Sequence, residues 1–251
     1  MKVHGFKRLE RLHPTLASRI VRSPLPGEYL IEYFSYAFAE GSLLSNSVYL
    51  HEPEWLGAAE SLAQRKAVLD FLREMIGANS DVFSPSGIPV RLDPSFRSCD
   101  ADTTLRLEMF YNNPDAECQL RYVRSAIAYV CGKERIPVVE ANLPATPAYH
   151  CAVEFDMLKR QPCALRLYFR LPQSSGKEFD GLTIAASGDV ISRKVYWRPS
   201  SDEVRAFPVV LPFGFSPAYA ATESGDLSCR QRIYLFNDLW NDAKGEFNEQ
   251  T

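Results

Sequence analysis

Between Cys163 and Leu171 the chain reads CALRLYFRL, in which Leu165, Leu167 and Phe169 alternate with Arg166, Tyr168 and Arg170. A period of two belongs to a strand whose two faces meet different environments. The pattern recurs. Lys194, Tyr196 and Arg198 alternate with Arg193, Val195 and Trp197. Leu105, Leu107 and Met109 alternate with Arg106, Glu108 and Phe110, and Ile233 and Leu235 with Arg232, Tyr234 and Phe236. An ordinary solvated strand mixes Lys, Glu, Thr and Ser on its wet side, whereas here Arg, Lys and Tyr dominate it. Two readings follow: four unrelated solvated faces, or faces that converge on one cationic, aromatic-lined cavity.

The second reading needs a sizeable core and a local source of charge. At 251 residues the chain can bury such a core in one large β-rich domain or two small ones. Its formal net charge is −3, so no global basic field recruits nucleic acid and any anion site is local. Six cysteines, at positions 99, 118, 131, 151, 163 and 229, show no CxxC or other metal spacing. Reduced thiols in a cytosolic protein are the plain reading. The segment MKVHGFKRLERLHP lacks an apolar h-region, and no apolar run is long enough to span a bilayer. A soluble, cytoplasmic protein with no nucleic-acid or membrane partner is expected.

Around these strands, spacing predicts a helix over 27–40 with Tyr29, Tyr33 and Tyr36 on one side. Further helices are predicted over 54–76, from Asp115 to about Cys131 with a stop at Gly132, and over 200–207. Strands are predicted over 42–50, 88–92, 103–111, 152–158, 164–171, 182–186, 190–198 and 229–237, with a hairpin turn at Ser187-Gly188-Asp189. Residues 208–227 read as a loop or broken helix. Hairpins without a GxGxxG or GxxxxGK[ST] loop argue against a doubly wound parallel sheet. The expected fold is α/β of the α+β kind. A single antiparallel β-barrel over residues 1–251 has helices outside and a polar lumen inside.

A spaced series of segments adds to this. Pro24-Leu25-Pro26 precedes an aromatic stretch ending Glu40-Gly41, and Ser84 to Leu92 and Thr104 to Tyr111 stand as paired strands. Glu154-Phe155-Asp156, Leu165 to Leu171, Ala186-Ser187, Tyr196-Trp197-Arg198, Leu211-Pro212-Phe213 and Ile233-Tyr234-Leu235 follow in order. Over residues 24–238 this series resembles the cyanobactin peptide prenyltransferases, small relatives of the aromatic prenyltransferases. The resemblance implies an ABBA-type antiparallel β-barrel ringed by α-helices. It also implies transfer of a dimethylallyl or geranyl group from an allylic diphosphate to a side chain of a macrocyclic peptide, with Mg2+ accompanying the diphosphate. In that family a carboxylate base sits on the first barrel strand. The matching stretch here, Ser42-Leu43-Leu44-Ser45, has no acid, so the base is expected from elsewhere.

Ionising an allylic diphosphate leaves a carbocation beside a highly charged leaving group, which calls for cations, π-faces and exclusion of water. Arg106, Arg166, Lys194 and Arg198 are the candidate diphosphate ligands, Arg106 because the resemblance places a cation there. Arg166 and Arg170 serve equally well as structural partners of lumen carboxylates. Tyr168, Tyr196 and Tyr234 are candidate carbocation shields or simply barrel-filling side chains. Thr183 falls where the family sets the length of the prenyl pocket. Glu108, Glu154 and Asp156 face inward by strand parity and suit proton transfer, magnesium or arginine pairing, with no side chain singled out as a metal ligand.

Three acids without the family's base point to a cationic acceptor, an arginine guanidinium of a cyclic peptide. Tyrosine, tryptophan and histidine acceptors stay open. So do a small-aromatic prenyltransferase and a non-catalytic barrel holding a phosphorylated or lipidic ligand. His4, His13, His51 and His150 form no cluster and are read as surface or turn residues.

Overall fold

Strand periodicity carries through to the structure, a computed structural model. It describes residues 1–23, 25–53, 55–76, 91–99, 102–110, 116–146, 148, 150–156, 161–209, 211–212, 214–225 and 229–238. For some of these, among them 91–99, 102–110 and Asp156, it describes the backbone alone. The strands are β1 (Lys2–His4), β2 (Glu28–Ala39), β3 (Ser42–His51), β4 (Arg91–Cys99), β5 (Asp102–Phe110), β6 (His150–Asp156), β7 (Gln161–Arg170), β8 (Phe179–Ala185), β9 (Val190–Trp197), β10 (Phe215–Gly225) and β11 (Cys229–Asn237). The helices are α1 (Phe6–Leu12), α2 (Pro14–Val21), α3 (Ala58–Ile76), α4 (Ala116–Cys131), α5 (Ile136–Glu140) and α6 (Ser201–Ala206).

Every strand from β3 to β11 pairs antiparallel with its neighbours in the chain. β2 then pairs with both β3 and β11 and closes the sheet into a barrel. β1 adds to the outside edge of β2 in parallel. Among the described residues ten strands thus form an up-and-down closed barrel, which leaves its strands no free edge except where β1 is added.

Alternation then sorts the side chains. Phe34, Val48, Leu50, Phe155, Leu165, Leu167, Phe169, Ile184, Ile233 and Leu235 point outward and are buried under the helices. There they meet Leu16 and Ile20 of α2, Val68 and Leu69 of α3, and Val123, Ala126 and Ile127 of α4. Burying each such side chain contributes roughly 1.5–3 kcal/mol. The opposite set faces the lumen.

Two sequence expectations are corrected. Residues 28–39 form a strand instead of a helix, because aromatic and β-branched residues fit a half-buried pleat and both neighbours pair with it. A register shift between Ile31 and Tyr33 moves the outward set from Tyr29 and Ile31 to Phe34, Tyr36 and Phe38, which hides the period of two. The turn that follows has φ of 51° at Glu40 and 77° at Gly41. Two left-handed residues in a two-residue hairpin loop match the twist of the flanking strands. Residues 215–225, expected as loop or broken helix, are β10, whose ladder with β11 is irregular between Pro217 and Tyr219. No described helix is long and apolar enough to cross a membrane.

Candidate active site

One cluster of buried charge lies on the inner wall. Arg166 on β7 meets Glu154 on β6 at 2.6 Å, and both side chains are largely shielded. On β10, Glu223 takes two cations. Arg232 Nε donates to its Oε2 at 2.8 Å, and Lys194 Nζ lies 3.4 Å from its Oε1. Arg232 is 1 % exposed and Lys194 3 %. Burial alone would raise the Glu223 pKa, but Lys194, Arg232 and the nearby Arg166 outweigh it and hold the carboxyl well below its ordinary value. Glu223 is therefore a fixed anion that gathers cations from three strands. Among the described side chains the cluster sets three cations against two carboxylates in a water-poor place.

Beside the charges stands a wall of rings. Tyr234 OH donates to Tyr196 OH at 3.5 Å, and the two ring centroids are 5.6 Å apart. Tyr196 lies 6.1 Å from Tyr168 and Tyr234 lies 6.0 Å from Tyr33, which stacks on Tyr49 at 3.9 Å. Burial pushes the Tyr196 and Tyr234 hydroxyls well above the ordinary phenol value, so both remain neutral donors. Gly181 on β8 makes this packing possible. A Cβ there would stand 3.2 Å from the Tyr196 ring and 3.3 Å from the Tyr168 ring. A glycine inside a strand often marks such a close approach.

The structure thus brings together Glu154, Arg166, Tyr168, Lys194, Tyr196 and Tyr234 from the sequence set. Thr183 is buried opposite Arg166 and Ser192, so it stands by the charged part of the wall rather than among the rings. Arg198 stands apart. It follows the end of β9, its side chain is 74 % exposed, and it pairs with Glu178 at 2.7 Å near the Tyr219 ring. The side chains of Arg106, Glu108 and Asp156 lie outside the described residues; the backbone of Arg106 pairs opposite Glu154.

Glu223 and Arg232 were missed as site residues. Glu223 sat in the supposed loop 208–227, where Tyr219, Ala221 and Glu223 alternate with Ala220 and Thr222 too weakly to mark a strand. His150 is corrected from surface residue to buried residue, in register with Tyr168 and 5.0 Å from its ring. The first barrel strand is also corrected. It is β2, not the stretch beginning at Ser42, and it carries the buried Glu32.

The described carboxylates of the lumen do not suit magnesium. Glu154 and Glu223 are engaged by Arg166, Lys194 and Arg232, whereas a protein-held magnesium wants carboxylates open to it. Among the described residues no group of His, Cys, Asp and Glu fits a metal ion. A surface cavity of about 410 Å³ between α2 and the β2–β3 hairpin is walled by Leu12, Leu16, Leu43 and Leu44 and lies outside the barrel.

A closed ten-stranded antiparallel barrel with helices outside and a cationic, tyrosine-lined lumen is the ABBA prenyltransferase fold, and solved structures of that fold match it. The prenyltransferase PriB, crystallised as a ternary complex with L-tryptophan and dimethylallyl thiolodiphosphate, superposes with a TM-score of 0.53 at 14 % identity over 81 % of this chain and 79 % of its own. A 6-dimethylallyl tryptophan synthase superposes with a TM-score of 0.55 at 12 % identity over 81 % of this chain and 80 % of its own. No protein-family model matches the chain, and no curated protein matches it in sequence.

Proposed function

We propose that this chain transfers a dimethylallyl or geranyl group from its diphosphate to a nucleophilic side chain of a peptide. The observation that carries the reading is the buried Arg166–Lys194–Arg232 cluster beside the Tyr168–Tyr196–Tyr234 wall. Cations of this kind stabilise the pyrophosphate as the C1–O bond of the donor breaks, and the ring faces stabilise the allylic cation left behind. The electron pair of the acceptor then forms the new bond to C1, and the acceptor's proton passes to a carboxylate. Glu32 is the residue we assign to that proton, since it is a buried acid on the first barrel strand, where the resembling family keeps its base. Arg106 is the further cation we assign to the diphosphate, and its backbone pairs opposite Glu154.

An arginine guanidinium of a macrocyclic peptide is the acceptor that the cyanobactin resemblance and the lumen acids favour. An indole acceptor is the second reading. It is favoured by the presence of Glu32 on the first strand, which removes the need for an unusual base, and by the likeness to a structure holding L-tryptophan. The test incubates the chain with dimethylallyl or geranyl diphosphate, with and without magnesium, and with a panel of cyclic peptides, linear peptides and free tryptophan. Mass spectrometry then locates the added prenyl group. Addition on arginine supports the first acceptor and addition on an aromatic ring the second. Diphosphate binding without turnover would make the chain a non-catalytic ligand-binding barrel.

A further inference from the structure

The cavity of about 410 Å³ outside the barrel lies where α1 turns into α2 and faces the β2–β3 hairpin. Three of its wall residues, Leu12, Leu43 and Leu44, are 38 %, 54 % and 39 % exposed. Single exposed leucines are ordinary, whereas several around one hollow mark a place that something apolar covers. The polar groups at its floor satisfy one another. Asn46 Nδ2 donates to His13 Nδ1 at 3.0 Å, which leaves the Nε2 proton of His13 for Tyr36 OH at 2.8 Å. The leucine walls are therefore what a ligand meets, and the volume suits an aromatic side chain.

Next to this hollow α1 is basic. Lys7, Arg8 and Arg11 stand against one acid, Glu10, in a chain of net charge −3. Lys7 and Arg11, one turn apart, are both exposed. Arg8 lies over the Phe215 ring at 4.7 Å, and its Nη2 has no hydrogen-bond partner. The last described residue, Asp238, lies here as well. Its N–H donates to Gly214 O at 3.0 Å, and a Cβ on Gly214 would stand 3.3 Å from Arg8 Nη1. From there the sequence continues LWNDAKGEFNEQT, residues 239–251, which lie outside the described residues. This segment sets Asp242, Glu246 and Glu249 against Lys244 and carries Leu239, Trp240 and Phe247. Its acids complement α1 and its rings complement the hollow. Reach is ample: Leu12 is about 6 Å along the helix from Arg8, whereas the extended chain from Asp238 to Phe247 spans up to about 30 Å.

We infer that residues 239–251 dock along α1 and into this hollow, with Asp242 and Glu246 against the cations of α1 and Phe247 between Leu12, Leu43 and Leu44. The contact ties β11 to the α1–α2 layer and to the β2–β3 hairpin, so both strands of the barrel-closing pair are held from outside. Exposed ion pairs contribute little singly. The apolar anchor therefore supplies most of the binding and the charges its direction. The inference goes beyond the proposed transfer and does not depend on it.

Hydrogen exchange read by mass spectrometry tests this on the full chain. In wild type the amides of residues 239–251 should exchange about tenfold more slowly than those of the free peptide LWNDAKGEFNEQT. Leu43→Ser combined with Leu44→Ser alters exposed side chains, so it should return those amides to the free-peptide rate with the barrel still folded by circular dichroism. Phe247→Ser should do the same and speed exchange over residues 12–16. Lys7→Glu combined with Arg11→Glu, or about 1 M salt, should weaken the protection. Wild-type amides within about twofold of the free-peptide rate overturn the inference. So does protection that survives both the leucine and the Phe247 variants, which places the segment elsewhere. Protection that grows with protein concentration assigns the hollow to the segment of a second copy and overturns docking within one chain.

Discussion

Glu223 is the residue on which the lumen charges depend, because one carboxylate holds Lys194 and Arg232 against each other. Removing one partner of a buried ion pair strands the rest, at a cost of about 3–5 kcal/mol. Glu223→Gln should lower unfolding free energy by about that amount at neutral pH, read by urea denaturation. Its folded-state pKa is depressed, so its stabilisation is fully present above the ordinary carboxylate value of 4.5 and is lost as pH falls below it. The gap between wild type and variant should therefore close in acid, and a gap that widened there would contradict the assignment. Glu32 makes a different demand. If it accepts the acceptor's proton, Glu32→Gln should lower kcat by roughly a hundredfold or more while pyrophosphate binding stays within about twofold. Equal loss of binding and turnover would make Glu32 a structural acid instead.

Gly181 belongs to the scale of the element, since its effect is on how β8 lets the rings of β7 and β9 lie. Gly181→Ala places a methyl group against Tyr168 and Tyr196 at distances that force both rings to shift. Overpacking of this kind costs about 1–3 kcal/mol. We expect a modest fall in melting temperature and a larger fall in turnover, because the shifted rings are the proposed cation shield. Normal turnover would show that ring placement there is immaterial. Elements also mark where the sequence was readable. On β7 the outward face is apolar at Leu165, Leu167 and Phe169, on β9 Lys194 and Tyr196 alternate with Val195 and Trp197, and on β11 Tyr234 stands between Ile233 and Leu235. No bulge interrupts the alternation across the site residues, so Arg166, Lys194 and Tyr234 could be placed in advance. On β2 the register shift after Ile31 broke the pattern, and Tyr29, Tyr33 and Tyr36 then fell at helical intervals. That single shift concealed Glu32. On β10 the inward set is Tyr219, Ala221 and Glu223, and the intervening Ala220 and Thr222 offer little hydrophobic contrast. A strand so weakly patterned becomes evident only through its partners, and Arg232 gained a role only when Glu223 came to lie beside it.

At the scale of the whole molecule the barrel depends on a pairing between distant parts of the chain, β2 at residues 28–39 with β11 at residues 229–237. Such a closure is set by the last strand, so folding waits on a large loop and the chain meanwhile carries unpaired edges on β2 and β10. Ile233 lies at the centre of that seam. It is fully buried and stands opposite Ala220 on one side and Tyr36 on the other. A proline there removes a ladder donor and clashes within a strand paired on both sides, whereas proline is tolerated chiefly at edges. Ile233→Pro should therefore abolish the folded barrel and yield aggregated chain on expression. Val3→Pro, in the added edge strand β1, should leave a folded protein of lower melting temperature. If the chain is one cooperative unit, as the closure of β2 on β11 predicts, wild type and Val3→Pro should each unfold in a single transition, with circular dichroism and tyrosine fluorescence coincident. Two separated transitions would divide the chain into independent units. A folded Ile233→Pro variant would show that the lumen does not need this seam.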